Sequence, residues 1–135
     1  MKKIFKNKKY NHILKFLKKF NLKSFEKSNK TKLYINFFEL NPLLKKLPQD
    51  LYKSKVKAHL RTVTRNEAKP FIPEASDLCR LHWTILSGKI INTLEFGSGF
   101  STVFMADAKY ILNHYFEDLK NMRYEKIFHV YSIEE

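Results

Sequence analysis

The stretch from Ile90 to Ile133 constrains the chain most. Ile90-Ile91-Asn92-Thr93-Leu94-Glu95-Phe96 is rich in β-branched and apolar residues and predicts a strand. Gly97-Ser98-Gly99-Phe100 follows directly, so two of the chain's three glycines fall in one turn. Ser101 or Thr102 can cap the helix that comes next. On that helix Phe104, Ala108, Ile111, Leu112, Tyr115 and Leu119 share one face, the most regular periodicity in the sequence. After a polar break over Lys120–Lys126, Ile127–Ile133 is a nearly continuous apolar run, as expected of a parallel strand covered on both faces. Strand, helix and strand of these lengths predict a βαβ unit with a right-handed crossover. Such units build doubly wound α/β sheets, in which ligands bind beyond the carboxyl ends of the strands.

A helix is predicted before this unit, over Glu74–Ser87. Pro73 suits a first helical position, Leu78, Leu81, Ile85 and Leu86 share a face, and Gly88 can cap the end. Further upstream the character changes. Residues 1–65 hold 19 Lys and Arg against 3 Asp and Glu, whereas residues 66–135 hold 7 against 10. A split of this kind points to two regions. Pro70 and Pro73 bracket Phe71-Ile72 and mark the join, giving a basic helical region over 1–70 and an α/β region over 71–135.

In the basic region Tyr10, Ile13, Leu14, Leu17 and Phe20 recur at helical spacing, with Lys15, Lys18 and Lys19 off the stripe. Such a helix can dock on its own protein, lie on an anionic membrane surface, or touch nucleic-acid phosphates. Docking on its own protein is the favoured reading. Lys outnumbers Arg 22 to 4, which weakens the nucleic-acid reading because Arg is the better bidentate reader. A coding bias in an AT-rich genome accounts for the same Lys, Asn, Ile and Phe content. Two short helical segments follow, Leu33–Leu40 stopped by Pro42, and Leu43–Leu47 ending at Pro48. The basic start does not read as an export signal, because lysines interrupt every apolar run and no small-residue cleavage site follows.

Several classes are disfavoured. No run of about 18 apolar residues occurs, so no membrane span is expected. Cys79 is the only cysteine, so no intrachain disulfide partner exists and a reducing, cytoplasmic setting is expected. The five histidines are scattered and show no metal-binding spacing. Cys79 reads as a small buried hydrophobe, and His82 and Trp83 as packing residues rather than catalytic ones.

The chemistry concentrates in Leu94-Glu95-Phe96-Gly97-Ser98-Gly99-Phe100-Ser101-Thr102. Two glycines after a strand let a ligand approach the backbone closely, and the next helix aims its free N–H groups at the same spot. A dinucleotide site wants a third glycine and an acid about 20 residues on. Thr102 occupies the third glycine position, and Glu117 and Asp118 fall within a helix.

The stretch resembles motif I of the class I S-adenosylmethionine-dependent methyltransferases, an acid, any residue, then Gly-x-Gly with a small residue two further on. Glu95, Gly97, Gly99 and Ser101 match it, with Ser101 in place of the commonest glycine. The resemblance covers about residues 72–135. It implies a partial S-adenosylmethionine-binding domain over 71–135, the first βαβ unit of a doubly wound Rossmann-like sheet. It implies that Glu95 lies near the amino end of the cofactor's methionine part, and that Gly97 and Gly99 let the backbone pass it. Phe96, Ser98, Ser101 and Thr102 complete the cofactor-binding stretch. Glu134, ending the second predicted strand, matches the family's ribose-binding acid.

The function expected on this resemblance is methyl transfer from S-adenosylmethionine to a small molecule or sugar. The catalytic residues are unknown, because the family's substrate-contacting residues mostly follow later strands. The length then reads as that of a truncated chain, inactive alone. The competing expectations are a basic module that touches an anionic membrane or nucleic acid through residues 1–65, and third, a fragment of an NAD(P)-binding oxidoreductase.

Overall fold

A computed structural model describes residues 2–46, 74–96, 99–116, 119 and 130–133, with backbone alone for 2–8, 46, 96 and 132. Helix α1 (Lys2–Leu17) turns inward the stripe that its periodicity predicts. Ile13, Phe16, Leu17 and Phe20 are buried, and Tyr10 and Leu14 pack against them. The apolar face that could enter a lipid surface is thus covered by the protein itself. The helix closes by tightening, with Lys19 and Phe20 N–H donating three residues back to Phe16 and Leu17. Asn21 then caps a 3-10 turn (Leu22–Glu26). Its side chain accepts from Ser24 N–H at 3.1 Å, and Ser24 Oγ accepts from Asn21 N–H at 2.9 Å.

Helix α2 (Ser28–Phe37) buries Thr31, Tyr34 and Ile35, one face at i, i+3 and i+4. The buried Thr31 hydroxyl lies within reach of the carbonyls of Phe25 and Lys27, so it is not orphaned. Residue 39 ends α2. Glu39 takes φ 54°, in the left-handed region. Its N–H bonds to Asn36 O and that of Leu40 to Ile35 O, the two bonds of a Schellman motif. Pro42 therefore does not stop this helix. It sits in the first turn of α3 (Asn41–Lys46), where a missing N–H costs nothing.

Helix α4 (Ala75–Ser87) buries Leu78, Cys79, His82, Ile85 and Leu86. It also ends in a Schellman motif, but Gly88 is not its left-handed residue. Gly88 stays right-handed, and Lys89 takes φ 48°. Lys89 N–H bonds to Leu86 O and Ile90 N–H to Ile85 O.

Strand β1 (Thr93–Phe96) pairs in parallel with β2 (Val130–Ile133), with Thr93 opposite Val130 and Phe96 opposite Ile133. Between them lies α5 (Phe100–Tyr115), which buries Phe104, Met105, Ala108, Lys109, Ile111 and Leu112.

The expected fold class, the start of a doubly wound Rossmann-like sheet, is not what forms. The described residues are mostly helical, and their sheet is two strands of four residues each. The physical reason at β1 is local. Ile90, expected to open the strand, spends its N–H on the end of α4 and its carbonyl on the Lys109 ammonium at 2.5 Å. Its N–H is thereby committed to the helix end, and pairing starts at Thr93. Of the second expected strand, residues 127–129 lie outside the described residues.

The core is a helix–helix interior filled by rings. Phe16 stacks on Phe37 at 3.6 Å, and Phe20, Phe25 and Tyr34 pack mutually within 5.6 Å. Residues from both sides of the charge divide share it, from Ile13 to Phe116. Trp83 Nε1–H donates to Leu17 O at 3.1 Å, and Arg80 Nε–H to Leu22 O at 3.2 Å, which pins α4 to the N-terminal helices. Burying each large ring stabilises by about 2 kcal/mol or more. Among the described residues no helix is long and apolar enough to cross a membrane.

Candidate functional site

Strand β1 ends at Phe96, and α5 starts at Phe100 with Gly99 directly before it. Gly99 is the N-cap of α5, and Thr102 is its third residue. Thr102 Oγ1 accepts from Gly99 N–H at 2.9 Å and donates to Glu95 Oε1 at 2.5 Å. The end of β1 is therefore tied to the first turn of α5 through one hydroxyl.

This hydroxyl leaves half of the carboxylate unused. Among the described residues Glu95 Oε2 is buried without a hydrogen-bond partner, and the same holds for Thr93 Oγ1. Residues 93 and 95 are two apart on a strand, so both side chains leave the same face of β1. A buried acceptor without a donor is costly, by about 1–3 kcal/mol. A hydrogen-bond donor at Glu95 would remove that cost, and a primary ammonium matches a carboxylate best. On this observation the residues fit the amino group of an S-adenosylmethionine methionine part.

The other expected site residues divide clearly. Gly99 has extended backbone, φ −166° and ψ −152°, open to any residue type, and a Cβ built there would meet nothing within 4 Å. Space, rather than backbone conformation, is what Gly99 provides. Ser101 is half-buried in the first turn of α5, beside Thr102. Phe96 closes β1 opposite Ile133. Gly97, Ser98 and Glu134 lie outside the described residues.

Two polar features escape the sequence pattern. His82 is fully buried, with Nδ1 2.8 Å from Tyr34 Oη and Nε2 2.8 Å from Asp107 Oδ2. An ionised carboxylate only accepts, so Nε2 carries the proton and Nδ1 accepts from Tyr34. Burial pushes the imidazole pKa down, outweighing the hydrogen bond and charge of Asp107, which pull it up. Tyr34, buried beside Cys79 and Asp107, is held well above the usual phenol range and keeps its proton to donate. The one signal available beforehand was that His82 continues the apolar stripe of Leu78, Ile85 and Leu86. Its partners are 48 and 25 residues away, beyond any local pattern.

Lys109 is the second. It is buried on the inner face of α5, and desolvation pushes its ammonium down to about 8. Its bond to Ile90 O places a positive charge at the negative end of α4. Cys79 is a fully buried free thiol, pushed up to about 12 by desolvation. Among the described residues no three His, Cys, Asp or Glu side chains gather as a metal site would need.

Comparison with known proteins adds no relative: no family model, curated protein or solved structure matches this chain.

Proposed function

We propose that the turn between β1 and α5 binds the methionine part of S-adenosylmethionine, and that the chain serves methyl transfer to a small molecule or sugar. One observation carries the reading: Glu95, near the end of β1, holds a buried carboxylate oxygen that has no partner among the described residues, close to the start of α5. Thr102 holds the other oxygen and so fixes the direction of the free one. Gly99 leaves the approach open. Glu134 is the acid proposed for the ribose hydroxyls. The reading rests on this local segment and needs no doubly wound sheet.

When bound, the cofactor supplies a sulfonium methyl group open to attack by a substrate oxygen, nitrogen or carbon. The chain's own part is to bind and orient. Glu95 accepts from the ammonium, and the N-terminal end of α5 is the end of a helix where a carboxylate is favoured. We place the chain in the cytoplasm on its single thiol, which a reducing compartment keeps free.

Equilibrium dialysis of the full chain against radiolabelled S-adenosylmethionine tests the reading. Saturable binding is expected. Glu95→Gln should weaken it roughly tenfold or more, the value of a charge-assisted bond, and Gly97→Arg and Glu134→Ala should each weaken it as well. Circular dichroism establishes that each variant is folded. No saturable binding, or equal binding by folded Glu95→Gln and Glu134→Ala, refutes the proposal.

A further inference from the structure

The last turn of α1, the 3-10 turn and α2 follow one another with little chain between them. Phe20, Phe25 and Tyr34 pack ring to ring and hold the three segments together. The same stretch of chain carries Lys15, Lys18, Lys19, Lys23, Lys27 and Lys32, all exposed. Between positions 15 and 33 Glu26 is the only acid. Among the described residues none of these six ammonium groups lies within ion-pair distance of a carboxylate. The positive charge is therefore concentrated, outward and unneutralised, while the apolar stripe of α1 that could have accompanied it is committed to the core.

Two large apolar side chains are also exposed in this stretch. Leu22 is 54% exposed and Leu33 50% exposed. A phosphate backbone gains nothing from leucine, whereas a lipid headgroup layer accepts apolar side chains between its charges. Aromatic rings for stacking on bases are missing from the outer face here, because Phe16, Phe20 and Phe25 point into the core. Arginine, the bidentate reader of phosphates and base edges, first occurs at position 61. Lysine clusters of this size are attracted to anionic lipid, each charge adding to the attraction within a Debye length.

From this combination we infer that the α1–α2 stretch of the molecule docks on an anionic phospholipid surface, with the lysines at the headgroups and Leu22 and Leu33 set among them. This is independent of the turn at Glu95. The contact is peripheral and reversible, and it weakens as salt rises.

Flotation of the full chain with vesicles tests it, using phosphatidylcholine alone or with about one-third phosphatidylserine. Binding only to the phosphatidylserine vesicles is expected. The triple variant Lys18→Glu, Lys19→Glu, Lys23→Glu should lower the partition coefficient at least roughly a hundredfold. The double variant Leu22→Asn, Leu33→Asn should lower it several-fold while leaving affinity for a DNA duplex unchanged. All five positions are exposed, and circular dichroism verifies the fold of each variant. No binding to phosphatidylserine vesicles, binding unaffected by the lysine variant, or a leucine variant that binds vesicles like the parent chain would each overturn the inference. Loss of duplex and vesicle binding in equal measure on the leucine change would do the same.

Discussion

His82 sits where three helices meet, and its two ring nitrogens are used for opposite purposes. Nε2–H donates to Asp107 and Nδ1 accepts from Tyr34, so only the neutral ring satisfies the whole chain of bonds. Protonation would put a second donor against the tyrosine hydroxyl in a buried setting. Because burial lowers the folded-state pKa below the ordinary value of about 6.5, the unfolded chain takes up the proton first. The sign follows: this group costs no stability above about pH 6.5, and stability falls with pH below it until the folded-state pKa is reached. Urea unfolding of the parent chain should show that decline as pH falls below about 6.5. In NMR the His82 ring should keep its neutral shifts through pH 6.5; an imidazolium spectrum at that pH would sink the assignment. Tyr34→Phe removes the donor to Nδ1 and is expected to cost about 1–3 kcal/mol, read from the urea midpoint.

Lys109 carries the opposite lesson at the same scale. Its ammonium is buried, and desolvation holds it near 8, some way below the ordinary 10.5. Between those values the unfolded chain holds the extra proton, so stability should rise as pH goes from about 8 to 10. At neutral pH desolvation of this charge is a cost that its bond to Ile90 O partly offsets. Lys109→Met keeps the long apolar stem and removes the charge. It is expected to raise stability at pH 7 by about 1–3 kcal/mol and to flatten the rise above pH 8. A destabilised variant would mean that the contact with the end of α4 outweighs desolvation.

Among the elements, the two Schellman closures decide where helices end and where the sheet can begin. Both place a charged residue in the left-handed region, Glu39 after α2 and Lys89 after α4. For a residue with a Cβ that conformation costs about 1–2 kcal/mol, and glycine relieves it at the expense of some chain entropy. Glu39→Gly is therefore expected to stabilise the protein by about 0.5–1 kcal/mol, seen as a rise of a few degrees in thermal midpoint. The same closures show why the elements were only partly legible. The apolar faces of α1, α4 and α5 follow from spacing alone, because Ile13 and Leu17 are one helical turn apart and Leu78 and Ile85, like Phe104 and Leu112, are two turns apart. The start of β1 does not, because Ile90-Ile91 has strand propensity while a left-handed Lys89, which no residue preference announces, takes Ile90 back to α4. Gly88, the residue that did announce a cap, sits one position early, and a Cβ there would come within 2.9 Å of Thr84 O. The candidate site was legible in kind, through Glu95 and the glycine turn. The bond from Thr102 that commits one Glu95 oxygen and frees the other depends on how the first turn of α5 lies over β1, which spacing does not encode.

For the whole molecule, charge and packing divide the chain differently. Lysines crowd the first 65 residues, yet the rings beneath them belong to the same interior as His82 and Phe104. Trp83, the only tryptophan, stands at the seam, hydrogen-bonded to Leu17 O with its ring 6.3 Å from that of Phe25. Its fluorescence therefore reports the junction, while far-UV circular dichroism reports all the helices. A shared core predicts that both signals unfold at the same denaturant concentration, in one cooperative step. Phe25 is almost fully buried between the 3-10 turn, α2 and α4, so Phe25→Ala should cost about 3–5 kcal/mol and shift both midpoints together. If the basic helices instead formed a separate unit, the variant would move the fluorescence transition and leave a second helical transition at the parent midpoint. A single displaced transition would make residues on both sides of the charge divide one folding unit. The lysine surface could then bind an anionic layer without loosening the turn at Glu95, since both would be held by the same core.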